Sequence, residues 1–346
     1  MIYFIVNNDF HVDHIEYYTK QLNHEDMTII RIPYALNKDC LNITENVMTF
    51  HTPFRRTGLI KRIYSSYRIK KRIKKTLIFN EKDKIVLLTE YDPLTQYIVY
   101  LAKEKRAITI LLQEGISTYC TNVLANKSKF SLWEKMKLIT FKKLYGFSYF
   151  KQVKYGARIF PQMDDVYIDK IILYFNMRSD RDIEKIVLNS PYERLENLDA
   201  RVALFLNQPI YGLYLSQEKY FDILNSEILE ILNNFKKVIF KFHPHDQEDI
   251  KKKIRLLFIE KNIVFSEGHL TLEETMKNYK PLNVFSFFSD SLLRLKLQGC
   301  NVHYLFTEHK ELVEDPILKN IQSFIENKDG EKINYHSSVI EVLNED

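Results

Sequence analysis

The sequence predicts an α/β protein built from two doubly wound, Rossmann-like domains facing a cleft. Three observations carry this expectation. Short apolar runs are continuous rather than alternating, as in parallel strands covered on both faces. Segments of helical period separate those runs, a βαβ rhythm that occurs twice. Between the two series lies "NSPYERLENLDAR", residues 189–201, which is polar, carries a proline and precedes a fresh strand. The 346 residues also exceed one ordinary core and suit two. Residues 1–195 are therefore assigned to an N-terminal domain. Residues 196–346 are assigned to a C-terminal one, whose last helix is expected to pack back on the first.

In chain order, the strand-like runs of the first series are Ile2–Val6, Thr28–Ile32, Ile85–Thr89, Ala107–Leu112 and Val166–Leu173. Those of the second are Val202–Leu206, Val238–Phe242, Asn262–Phe265, Leu282–Phe285 and Val302–Leu305. Helical period appears between them, for example at His14–Leu22, Gln96–Lys105, Gln217–Asn234 and Asp246–Ile259. In open sheets of this kind, ligands bind at the carboxyl ends of the strands, so polar groups just past those ends are the candidates for chemistry.

Composition excludes several classes. Hydrophobic residues make up 45% of the chain, enough for two cores and too many for a disordered protein. Only eight glycines occur, with no GxGxxG and no GxxxxGK[ST], which argues against dinucleotide and P-loop chemistry. The three cysteines, Cys40, Cys120 and Cys300, are far apart; they form neither a disulfide framework nor a metal spacing and favour a reducing compartment. The opening MIYFIVNND is too short for a signal peptide and lacks its basic flank. No apolar run reaches the ~18 residues of a membrane span. A cytoplasmic protein is expected.

Net charge is a mild +5, but residues 46–80 contain no acid, and 55–75 carry ten Lys and Arg. The segment "IKRIYSSYRIKKRIKK" reads as a cationic, imperfectly amphipathic helix. It suits the anionic inner face of the cell membrane as a peripheral contact, or else forms a solvated helix face. No nucleic-acid module accompanies it, so no nucleic-acid partner is expected.

Three strand ends carry candidate site residues. Val238–Phe242 stops at His243-Pro244-His245. The proline restrains His243 to extended geometry, so its imidazole projects at a defined angle, while Asp246 can cap the helix that follows. A hydrogen-bonded loop histidine is the alternative. His243, His245 and Asp246 also resemble part of a metal-binding run, but the final ligand is absent. Ala107–Leu112 runs into Gln113-Glu114-Gly115, where a carboxylate at a strand end before a tight turn suits a general base; a surface turn is the alternative. "NVFSFFSDSLLRLKL" ends a strand in Ser286, Ser289 and Ser291 before an apolar helix. Ser289 reads as its N-cap, and the helix-start amides with their hydroxyls suit an anion.

Glu-Gly, then His-Pro, then a serine cluster at a helix start: in that order these motifs resemble the bacterial GT-B sialyltransferases, in particular glycosyltransferase family 52 and its polysialyltransferase relatives, which act on capsule and lipooligosaccharide. "QEG" at 113–115 and "KFHP" at 241–244 carry the likeness, with "YIDKIILYFN" at 167–176 and "ALFLNQPI" at 203–210 in support. Three positions depart from the family pattern. Gln113 replaces the first acid of its acidic pair, Asp290 follows Ser289 where a second hydroxyl is usual, and "LTLEE" lacks the proline that often precedes a ribose-binding glutamate.

The resemblance implies a GT-B fold with an acceptor-side first domain and a CMP-binding second domain. It implies inverting transfer of sialic acid from CMP-sialic acid to a galactose-type acceptor glycan, without metal or other cofactor. Glu114 would be the base and His243 the acid or phosphate stabiliser. Gly115, Gln208, Lys241, Pro244, Glu273, Ser289 and Ser291 would hold the donor. Asn8, just past the first strand, is an acceptor candidate by position. The rival readings are a related transferase using CMP-Kdo or a CDP-polyol, and a non-catalytic basic protein binding membrane or nucleic acid.

Overall fold

A computed structural model describes residues 1–19, 26–35, 40, 43, 44, 46–51, 59–90, 92–114, 118, 132, 136, 139, 150–155, 158–163, 165–174, 181–188, 192–212, 214–244, 246–259, 261–266, 270–315, 318 and 334–336. The chain divides into two compact units, Met1–Pro191 with Asn327–Asp346, and Tyr192–Glu326.

The strands in chain order are β1 (Ile2–Asn8), β2 (Met27–Ala35), β3 (Val47–Thr49), β4 (Lys84–Leu87), β5 (Ile108–Leu112), β6 (Phe150–Tyr155), β7 (Arg158–Met163), β8 (Lys170–Leu173), β9 (Glu184–Leu188), β10 (Asp199–Leu206), β11 (Lys237–Lys241), β12 (Ile263–Phe265), β13 (Pro281–Ser286), β14 (Asn301–Tyr304) and β15 (Asn334–His336). The helices that matter below are α1 (Asp9–Thr19), α2 (Leu59–Thr76), α3 (Pro93–Lys103), α4 (Gln217–Asn234), α5 (Glu248–Leu257), α6 (Leu272–Tyr279) and α7 (Asp290–Leu297).

In the first unit the described strands form one parallel sheet in the order β15-β9-β8-β5-β4-β1-β2-β3. The hairpin β6-β7 is antiparallel and stands apart from that sheet. On one face Tyr3, Ile5, Ile85 and Leu87 pack with Ile73 of α2 and Leu94, Ile98 and Ala102 of α3. The alternate residues Phe4, Val6 and Val86 are fully buried as well, so they face the other side. Burying an aliphatic or aromatic side chain stabilises by about 1.5–3 kcal/mol. A strand buried on both faces therefore has no use for polar alternation. α3 begins where expected of its chemistry: Asp92 accepts the Leu94 and Thr95 N–H groups at 2.8 and 3.2 Å, and Pro93 occupies the first turn.

The second unit repeats the plan. Its parallel sheet runs β12-β11-β10-β13-β14, the doubly wound order with its switch point between β10 and β13. Leu204, Ile239 and Val284 pack with Met276 of α6 and with Leu292 and Leu295 of α7. On the other face Phe205 stacks on Phe240 at 5.2 Å and meets Phe287 edge-on at 5.9 Å.

Some expectations need correction. The run Val166–Leu173 is not one strand: Asp165–Tyr167 is a 3-10 turn and only Lys170–Leu173 is extended. The Asp169 carboxylate interrupts it by accepting the Thr109 N–H at 2.7 Å and Lys103 Nζ at 2.7 Å. Strands β3, β6, β7, β9 and β15 were not expected. Most are short or polar, and partner strands rather than their own pattern specify them. β15 pairs with β9 in the first unit; residues 337–346, where the expected last helix would fall, lie outside the described residues.

Candidate active site

In the first unit the candidate groups gather past the carboxyl ends of β1 and β5. Ile5 pairs with Leu87 and Leu87 with Leu111, so Asn8, the last residue of β1, and Glu114, after β5, each lie three residues past a common level. Glu114 follows β5, and its side chain is 30% exposed. One carboxylate oxygen is 2.9 Å from Nε2 of His11 in the first turn of α1. That imidazole is fully buried. Its Nδ1 accepts the backbone N–H of Asn7 at 3.1 Å, so the ring proton resides on Nε2 and Nε2–H donates to Glu114. The Asn8 side chain accepts the His11 backbone N–H at 2.9 Å, and its amide nitrogen lies 3.1 Å from Nε2. Asn8 thus stands beside the carboxylate's partner.

Glu114 is also held through its backbone. Its N–H donates to Thr118 Oγ1 at 3.2 Å, and the Thr118 carbonyl accepts Arg181 Nη1 at 3.4 Å. The fully buried Arg181 guanidinium pairs with Glu90 at 2.8 Å and Asp165 at 3.2 Å. Burial by itself would lower its pKa, and the two carboxylates more than reverse that. Gln113, where the family pattern has an acid, is buried; its side-chain oxygen accepts the Tyr174 N–H at 2.7 Å. The neutral amide makes this bond without the cost of burying a charge. Gly115 lies outside the described residues.

In the second unit Leu206 pairs with both Lys241 and Ser286. Gln208 and His243 therefore stand two residues, and Ser289 three residues, past a common level on three adjacent strands. The predicted catalytic residue His243 and the predicted donor residues Gln208 and Ser289 thus follow three neighbouring strands that include the two at the switch point. The organiser is Asp246, which is buried. It does not cap α5, which begins at Glu248 with Gln247 at its cap position. Instead its Oδ2 accepts the His243 N–H and Asn207 Nδ2, each at 2.8 Å, and Tyr211 donates to Oδ1 at 3.4 Å. Tyr220 donates to Asn207 Oδ1 at 2.8 Å. Burial, reinforced by the Asp246 charge, raises the pKa of both tyrosines, so both remain donors. Pro244 is exposed; His245 lies outside the described residues.

Ser289 is the N-cap of α7, accepting the Ser291 N–H at 3.3 Å, and its own hydroxyl proton remains to donate. The Asp290 side chain lies outside the described residues. Ser286, by contrast, is committed to the Leu206 carbonyl at 2.8 Å. Lys241 Nζ donates to the Leu270 carbonyl at 2.5 Å; burial lowers its pKa against the pull of Glu273 and Glu274. Glu273 is held by Arg294 at 2.6 Å. Burial would raise its pKa, but the guanidinium outweighs that and holds it below the usual carboxylate range. The pair lines a cavity of about 290 Å³ between α6 and α7, bounded by Leu195 and Leu198. Among the described residues no group of three or more His, Cys, Asp or Glu side chains is placed to hold a metal.

Sequence reasoning missed His11, Asp246 and Arg181 as organisers. His11 could have been flagged as a histidine in the first helical turn after the first strand. Asp246 was flagged for a different task. Arg181 carries no local signal.

Comparison with known proteins completes the picture. Among curated proteins no match is found. Solved structures with a similar chain path include UDP-GlcNAc 2-epimerase from Neisseria meningitidis bound to UDP-GlcNAc, at 11% identity, covering 94% of this chain and 92% of that one with a TM-score of 0.46. A glycosyltransferase from Rickettsia africae is 11% identical, with 87% and 78% coverage and a TM-score of 0.43. A variant of the wall teichoic acid polymerase TagF is 10% identical, with 99% and 77% coverage and a TM-score of 0.46. The sequence profile of alpha-2,8-polysialyltransferases (POLYST) matches residues 4–300, a span that contains both strand-end clusters. The chain belongs to the alpha-2,8-polysialyltransferase family and is a sialyltransferase-type glycosyltransferase, which acts with a nucleotide-sugar donor and an acceptor.

Proposed function

We propose that this protein transfers sialic acid from CMP-sialic acid to a hydroxyl of an acceptor glycan with inversion, in capsule or lipooligosaccharide assembly. The observation that carries the reading is Glu114: a partly exposed carboxylate at the end of a central strand, held at its backbone and at one oxygen. A sugar hydroxyl is a poor nucleophile until a base accepts its proton during attack, and Glu114 takes that proton. The sialyl centre becomes oxocarbenium-like, as in glycoside hydrolysis. CMP departs with its phosphate stabilised by His243, aided by Ser289, Ser291 and the amides that open α7.

Gln208, Lys241, Pro244 and Gly115 complete the donor surroundings, Glu273 serves the ribose, and Asn8 meets the acceptor. A single phosphate can be neutralised by such donors, so the proposed mechanism uses no metal. The exposed, acid-free face of α2, with Tyr64, Tyr67, Arg68, Lys71 and Lys74, suits peripheral contact with the anionic inner face of the cell membrane. Among the described residues no helix is long and apolar enough to cross a membrane.

The test is to incubate the protein separately with CMP-sialic acid, CMP-Kdo and CDP-glycerol, with and without lactose-type acceptors, and to measure nucleotide release. CMP release from CMP-sialic acid is expected, falling by about a hundredfold or more in folded Glu114→Ala and His243→Ala. No release from CMP-sialic acid under any of these conditions overturns the reading. Binding through α2 that survives both substitutions, without any turnover, favours the non-catalytic alternative.

A further inference from the structure

We propose that His11 is a positioning residue for Glu114: its imidazole pins one carboxylate oxygen through Nε2–H and leaves the other oxygen to act as base. This rests on the assignment of Glu114 as base. Three features of the pair carry it. The imidazole is fully buried while the carboxylate is 30% exposed, so Glu114, not His11, meets a substrate. The Nδ1 lone pair is occupied by the Asn7 N–H at 3.1 Å, which puts the proton on Nε2, 2.9 Å from Glu114; the Asn8 amide nitrogen, 3.1 Å from Nε2, is then a contact between two donors and not a hydrogen bond. And Asn8 clamps the start of α1 by accepting the His11 N–H at 2.9 Å, so the ring is placed by backbone on one side and by the carboxylate on the other.

The same bonds exclude a proton relay. To accept a proton from Glu114, His11 would have to be protonated at Nδ1, where the Asn7 N–H already points. The proton removed from the acceptor therefore remains on Glu114. The acceptor O–H bond breaks and a Glu114 O–H bond forms. The acceptor oxygen bonds the anomeric carbon, and the electron pair of the broken anomeric C–O bond leaves on the CMP phosphate. Other titratable groups reach the pair indirectly. Arg181, with Glu90 and Asp165, acts through the Thr118 carbonyl. His14 acts through the Tyr174 hydroxyl at 2.5 Å, on the residue whose N–H meets Gln113.

The experiment combines side-chain NMR with kinetics on wild type, His11→Ala and His11→Gln, the last keeping an N–H near the Nε2 position. In wild type, ¹⁵N-labelled histidine is expected to show His11 as the Nε2–H tautomer at neutral pH. Loss of the hydrogen bond releases the carboxylate from its aim, so kcat should fall about tenfold in His11→Ala and recover toward wild type in His11→Gln, with KM for CMP-sialic acid within about twofold in both. A folded His11→Ala with unchanged kcat overturns the proposal, as does a wild-type His11 that carries its proton on Nδ1. The tautomer is read without turnover, so a failed base assignment, seen as no CMP release by wild type, stays distinct from a failed hydrogen bond.

Discussion

Substitution of Asp246 is the sharpest probe of how the fold prepares its second strand-end cluster. The carboxylate is buried, and two donors reach its Oδ2 at 2.8 Å: the His243 backbone N–H and the Asn207 amide. Asp246→Ala leaves both facing a methyl group. An unsatisfied buried donor costs about 1–3 kcal/mol. Asn207 is 2% exposed and bears that in full, whereas the half-buried His243 turn is partly rescued by water. The 3.4 Å contact from Tyr211 adds little. The loss should therefore be about 2–4 kcal/mol, a large share of the 5–15 kcal/mol typical of a domain. Asp246→Asn keeps an acceptor at Oδ2 and should cost about 1 kcal/mol, the difference between a charged and a neutral acceptor. Catalysis should fall in the same order. With the turn released, His243 is no longer aimed, and a displacement of about 1 Å can cost about a hundredfold in rate. Urea unfolding followed by far-UV circular dichroism, with CMP release at saturating donor, reads both quantities. If Asp246→Ala loses less than about 1 kcal/mol and keeps its rate within about threefold, the reasoning is wrong.

Other outcomes follow from the same physics. Arg181→Met removes the cation from a buried triad and should destabilise the first unit by about 3–5 kcal/mol, with much of that recovered in Arg181→Met/Glu90→Leu; urea denaturation of the single and double variants measures it. Glu273 has a folded pKa below the ordinary carboxylate range. Its ion pair is thus fully stabilising above the unfolded carboxylate range and is lost as pH falls through the lowered folded value. The excess of wild-type melting temperature over Glu273→Gln should be largest near neutrality and vanish in strong acid. Burial pushes the Cys300 thiol up to about 11, so iodoacetamide at pH 8 should leave it unmodified in the native protein and label it in urea, as mass spectrometry of the peptide would show.

Much of the fold was readable from local pattern. The continuous run Val238–Phe242 became the parallel strand Lys237–Lys241 because Val238, Ile239 and Phe240 each have a hydrophobic layer to enter. α4 occupies Gln217–Asn234 as its period indicated, since its start is set by the adjacent Ser216, which accepts the Lys219 N–H. What failed was brevity: β9 and β15 are five and three residues long, too short for a period to show, and are strands because neighbouring strands offer them backbone partners.

The sequence by itself determined which groups stand at strand ends, because His243, Glu114 and Ser289 each follow directly on an apolar run and their placement needs only nearest neighbours. Tertiary structure alone decided what those groups touch. His11 and Glu114 are 103 residues apart, and Asn207 and Asp246 are 39 apart. A hydrogen bond depends on ångström-scale geometry that exists only after the strands between have closed, and nothing in the local period of either segment encodes it.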